Sequence, residues 1–239
     1  MKTRHIAVAA ATLVAAAASH AYEFQPLKLL GTQDNFRLFS EDVSAAMSYR
    51  PIEPSDSLGL LGFDVGANLS FTKLNSVKVL EQAADHSLPS TLPTATLRVS
   101  KGIPFIDANI GATYTVIPAV GVNSMSVAGN WAVIAGGVLM PAVSIRGAYT
   151  KVNGITGLKM DSTGVDLSIS KGFLLVKPYA GVGVVKTKST PDNTFAAESY
   201  TQNRVFVGAN FNLLIMDIAV EADKTGKDTT YSAKLGFRF

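Results

Sequence analysis

The chain has 239 residues, 47% of them apolar, with 21 basic and 18 acidic side chains and no cysteine. The lack of cysteine excludes disulfides and thiolate metal sites, and the near balance of charge leaves nucleic-acid binding without electrostatic support. Mean hydropathy is +0.25, high for a soluble protein, yet after residue 21 no apolar run is long enough to cross a membrane as a helix.

The first 21 residues carry Lys2 and Arg4, an apolar run from Ile6 to Ala18, and small residues Ser19 and Ala21 around His20. This is the pattern of a secretory signal peptide cleaved before Tyr22. A retained anchor helix is the alternative, and the run is short for one. In residues 22–57, Phe36, Phe39, Val43, Ala46, Met47 and Arg50 recur near helical spacing. Ser40 followed by Glu41 and Asp42 resembles a helix start, and Pro51 and Pro54 stop what precedes them. A short amphipathic helix is predicted, although Val43, Ala45, Met47 and Tyr49 also alternate as an extra strand would.

From residue 58 onward the dominant period is two. In 58–73, Leu61, Phe63, Val65, Ala67, Leu69 and Phe71 oppose Gly62, Asp64, Gly66, Asn68, Ser70 and Thr72. The segment 75–93 reads as a long loop with a helical-looking patch at 79–85. Further alternating strands are predicted at 94–101, 105–117, 125–137, 142–151, 160–170, 174–187, 204–213, 216–223 and 229–239. The short connections all fall at one end of these strands and the long ones (74–93, 118–124, 152–159 and 188–203) at the other. A hydrophobic chain with no spanning helix and ten alternating strands predicts an all-β, antiparallel transmembrane barrel. Residues 1–21 are then leader, 22–57 a segment at the periplasmic mouth or plugging the lumen, and 58–239 the barrel.

The last strand carries Tyr231, Ala233, Leu235, Phe237 and Phe239 on one face and Ser232, Lys234, Gly236 and Arg238 on the other. It resembles the C-terminal assembly signal of Gram-negative outer-membrane β-barrel proteins of uncharacterised function. The resemblance implies a place in the cell outer membrane, among outer-membrane lipid and lipopolysaccharide. It also implies a barrel-assembly machinery that reads Tyr231, Leu235, Phe237 and Phe239. Phe71, Tyr114, Tyr149 and Tyr231 are expected as the outer aromatic girdle, and Phe63, Phe105, Phe237 and Phe239 as the inner one.

The inward parity collects Asp64, Arg98, Asp107, Arg146, Asp166, Arg204, Asp217, Glu221, Lys234 and Arg238, an equal mix of signs. A selective pore favours one sign at its constriction, whereas a balanced set predicts a lumen filled by a polar network. The single histidine after the leader, His86, stands beside Asp85 and Ser87. It lacks the spacings of membrane-embedded hydrolases or acyltransferases, so a solvated loop tip is expected. No cofactor or metal site is expected, and no enzymatic activity. The expected role is structural or surface interaction through extracellular loops and an unknown loop partner. A narrow channel for small solutes is the alternative, and a membrane-embedded hydrolase or acyltransferase the second.

Overall fold

The computed structural model describes residues 27, 29–84, 90–118, 120–192 and 195–239. The predicted leader and the His86 loop tip lie outside the described residues. Among the described residues two helices, α1 (Gln33–Met47) and α2 (Val77–Ala84), accompany ten strands. These are β1 (Phe63–Lys73), β2 (Thr91–Ile103), β3 (Ala108–Val116), β4 (Asn123–Ile134), β5 (Ala142–Asn153), β6 (Leu158–Ser170), β7 (Val176–Pro191), β8 (Glu198–Leu213), β9 (Met216–Thr225) and β10 (Asp228–Arg238).

Each strand pairs antiparallel with its sequence neighbour, and β10 closes on β1 to complete a ten-stranded barrel. The closure runs in register from Asp64↔Arg238 to Lys73↔Thr229. Beyond it the Phe63 amide donates to the Phe239 carbonyl at 2.6 Å, and the Phe239 amide returns a bond at 3.0 Å. The rings of Phe63 and Phe239 stand 5.9 Å apart on the outside of this seam. Closure leaves no strand edge unpaired, the condition for a sheet in hydrocarbon.

The partition of side chains is the reverse of a soluble protein's. Val65, Leu69, Leu97, Val99, Ile145, Leu167, Val182, Val207 and Leu235 are exposed on the exterior, while Arg98, Arg146, Asp166, Arg204, Asp217, Glu221 and Lys234 are buried within. An apolar exterior around a polar interior is that of an outer-membrane barrel, and it places the chain in that membrane.

Several boundaries differ from those read off the pattern. The first strand starts at Phe63 rather than 58, because Gly59 turns with positive φ and the Leu58 amide is taken by Asn109 Oδ1 at 2.8 Å. Pro93 lies inside β2, but the ladder to β3 begins at Ala95, so its missing donor costs no second pairing. The segment 188–203, expected as a loop, is mostly strand: β7 and β8 stay paired out to Ser189↔Glu198. β4 ends at Ile134 after a register shift between Ala132 and Ile134.

Helix α1 begins at Gln33, not near Ser40. Thr32 caps it, its Oγ1 accepting from the Asn35 amide at 3.2 Å, and Ser40 is buried in mid-helix. The extra-strand alternative for 43–49 is thereby overturned. The helix also lies away from the short-turn rim. Phe36, Phe39, Val43, Ala46 and Met47 pack with Leu74, Leu92, Ile117, Val122, Val152, Ile155 and Leu158, all at the bases of the long connections. Among the described residues, the helix stripe is buried in the apolar cluster at that rim.

Candidate functional site

After α1 the chain enters the lumen in an irregular stretch, Ser48 to Ser57, bent at Ile52 where φ is positive, and runs to the opposite rim before β1 begins. Its contacts mark the descent. The Tyr49 amide donates to Thr150 Oγ1 at 3.1 Å, the Ile52 amide to Glu221 Oε2 at 2.9 Å and the Ser55 amide to Ser170 Oγ at 3.1 Å. At the short-turn rim Asp56 meets Lys177 at 2.6 Å. Pro51 and Pro54 suit this path, since each removes a backbone donor that a threaded, unpaired strand would otherwise leave buried without a partner.

Two arginines grip the end of α1. Arg50 pairs with Asp223 at 2.8 Å and donates to the carbonyls of Ala45 and Ala46. Arg204 donates to the Tyr49 carbonyl and to Ser48 Oγ, both at 2.8 Å, and lies 3.6 Å from Asp166. Cations at a helix C-terminus satisfy its free carbonyls and oppose its dipole.

Glu53 carries the central contact. Its carboxylate lies 3.3 Å from Arg146 of β5 and 3.7 Å from Arg98 of β2, three strands apart around the wall, and accepts from the Tyr49 hydroxyl at 3.3 Å. All three ionic groups are almost fully buried. Toward the seam, Lys234 Nζ bridges Asp64 at 2.6 Å and Asp217 at 2.7 Å, and Arg238 adds a 2.8 Å pair to Asp64. Asn210 donates to Asp217 at 2.6 Å. Buried ions on this scale persist only when a counter-charge stands beside them.

Of the residues predicted for the lumen, all but Asp107 line it. Asp107 is exposed in the turn between β2 and β3, because β3 starts one residue later at Ala108. Pattern reading missed Arg50 and Glu53, which period-two counting on strands never reaches. Their signal was an Arg-Pro-x-Glu-Pro run, charged residues in a stretch too stiff for a helix. It also passed over Phe206, which shares the inward parity of Arg204. Phe206 and Tyr179 fill the lumen where Gly181 and Gly208 leave room. A Cβ on Gly181 would sit 2.3 Å from the Phe206 ring, and one on Gly208 2.3 Å from the Tyr179 ring.

Above the lumen Asp42 of α1 and Asp228 at the start of β10 hold one loop between them: Asp42 Oδ2 accepts from the Ser76 amide at 3.0 Å and Asp228 Oδ1 from the Asn75 amide at 2.7 Å. Burial, with Asp228 beside it, pushes the Asp42 carboxyl up to about 7. The outer edge of the helix is tied to β8 through Arg37, which pairs with Glu198 at 3.1 Å and stacks 4.6 Å from the Tyr200 ring centroid.

No family model matches the chain, and no curated protein matches its sequence. Among solved structures it is similar to the KdgM porin in complex with disordered oligogalacturonate, at 9% identity over 74% of this chain and 99% of that chain, with a TM-score of 0.39. It is similar also to Neisserial surface protein A, at 12% identity over 74% of this chain and 97% of that one, TM-score 0.36. A third is the N-terminal β-barrel domain of Pseudomonas aeruginosa OprF, at 11% identity over 74% and 97%, TM-score 0.34. Likenesses this distant carry no argument about activity. What the strand register and the lumen contacts establish is an outer-membrane β-barrel occupied by its own N-terminal segment.

Proposed function

We propose that this barrel is a closed, non-enzymatic outer-membrane protein that acts at the cell surface through the rim carrying the long connections. In this reading the short turns lie in the periplasm and the capped rim faces outward, as is usual for such barrels. Phe239 and the alternate residues before it are what the barrel-assembly machinery reads. The loop partner is a surface molecule that meets the rim formed by α1, α2 and the β7–β8 hairpin.

The observation that carries the proposal is Glu53 held between Arg98 and Arg146, because it places a backbone strand across the middle of the lumen. Purified protein in a planar bilayer is expected to show no steady conductance, and a variant lacking residues 33–50 to conduct. Large, stable conductance from the intact protein would reverse the order of readings and make it a channel. One observation favours a gated form of that second reading: the Arg146 guanidinium is buried with no hydrogen bond to protein, so displacement of Glu53 bares a cation in the lumen.

A further inference from the structure

On the exterior, β5, β6 and β7 change character together at one level. Moving toward the long-loop rim along their outward faces, Tyr149 gives way to Lys151, Thr163 to Asp161 and then Lys159, and Val184 to Lys186 and Lys188. Register gathers these residues: Lys151 and Lys188 both flank Asp161, and Lys186 lies opposite Thr163. All four lysines are exposed and, among the described residues, none is in an ion pair. On the adjoining β4 and on β3 and β2 the outward positions at this height (Met125 and Asn123, Val116, Pro93) carry no charge, and β1 and β9 each present a single lysine there, Lys73 and Lys224.

Directly below the patch the apolar surface is notched. Gly129 of β4 and Gly147 of β5 face each other in register, and a Cβ on either would meet nothing within 4 Å. Ile110, Val127, Trp131, Ile145 and Tyr149 wall this groove, whose volume is about 560 Å³. Its upper lip, Tyr149 and Thr163, is where the lysines begin.

We propose that the lysine patch and the groove form one binding site for a phosphorylated, multiply acylated lipid of the outer leaflet, the class to which lipopolysaccharide belongs. The lysines take the phosphates and the groove takes an acyl chain. The placement rests on the reading that the long-loop rim faces outward. Clustered lysines at the boundary of the apolar belt lie at the height of lipid phosphates and attract anionic headgroups. A second copy of this chain is the poorer occupant, since a symmetric contact there sets the lysines against themselves.

Trp131 is the only tryptophan and stands in the groove, so its emission reports occupancy. Detergent-purified protein titrated with bis-phosphorylated lipid A is expected to show a saturable Trp131 change. The double variant Lys151→Gln/Lys186→Gln, checked for heat-modifiable folding, should need about tenfold more lipid. Gly147→Leu, which fills the notch, should weaken binding of the lipid but not the electrostatic attraction of inorganic phosphate. Equal binding of dephosphorylated lipid A, or wild-type affinity in the double variant, would overturn the site. Competition by inorganic phosphate at the same concentration as the lipid would show an anion site without an acyl contribution, and would overturn it too. Orientation is read separately, by labelling Lys151→Cys on intact cells with a membrane-impermeant maleimide. Loss of labelling with binding intact refutes the outward rim and leaves the site standing, whereas labelling without binding refutes the site.

Discussion

Glu53 is the residue at which the threaded segment and the wall become one structure. Replacing it with Gln leaves Arg98 and Arg146 buried without a counter-charge, a change that costs about 3–5 kcal/mol when one partner of a buried ion pair is removed. Leu235→Arg, which sets a charge on the lipid face, is expected to cost about 2–4 kcal/mol near the midplane. Guanidinium unfolding in lipid vesicles should therefore show comparable losses from an inward and an outward substitution, and an unchanged midpoint for Glu53→Gln would refute the clamp. Parity alone suggests that inward positions are the tolerant ones. Ser168 shows why the filled lumen removes that tolerance: its hydroxyl lies 2.8 Å from Ser55 Oγ and 2.9 Å from Ser144 Oγ, so an arginine there collides with the segment.

At the level of elements, α1 is the piece whose stability depends on pH. Asp42 ionises near 3.8 in an unfolded chain and at about 7 in place, beside Asp228 and its own neighbour Glu41. Between those values the folded cap holds a proton that the unfolded chain has released. Stability of the cap is therefore highest below pH 4 on this account, falls as pH rises toward 7, and is level above it. Hydrogen exchange of the α1 amides, corrected for intrinsic rates, should be faster at pH 8 than at pH 5, and Asp42→Asn should flatten the difference. A difference that persists in Asp42→Asn assigns the effect elsewhere. The helix itself was legible, because Phe36, Phe39, Val43, Ala46 and Met47 keep one face. Its start was not, since Thr32 caps from outside the apolar pattern. The outer ends of β7 and β8 were illegible for a related reason: residues 186–191 and 198–203 stand beyond the apolar belt, where both faces are polar and the alternation that marks a strand disappears.

For the whole molecule, the threaded segment puts the two ends of the described chain on opposite rims. Leu27 packs at the long-loop rim with Ile155 and Leu158, while Phe239 sits at the short-turn rim beside Phe63. With no native cysteine, single cysteines can test this. Asp34→Cys should be labelled on intact cells by a membrane-impermeant maleimide, and Leu139→Cys, on an exposed short turn, only after the outer membrane is opened. The opposite pattern would invert the barrel, and labelling of neither would place Asp34 inside the protein's closed volume.

The sequence by itself determined the class, the strand number and the inward and outward faces, because a sheet in lipid keeps a two-residue period along nearly all of each strand. It also brought together Asp64, Arg98, Arg146, Asp166, Arg204, Asp217, Glu221, Lys234 and Arg238 as one interior set. Only the tertiary structure decided what that interior surrounds. Those nine are five basic and four acidic, near enough to balance with no plug present that nothing in their count shows that Arg50 and Glu53 reach in to join them. That depends on where the α1 stripe can be buried, and the buried apolar residues that cover it come from three connections far apart in the chain, brought together only when the barrel closes.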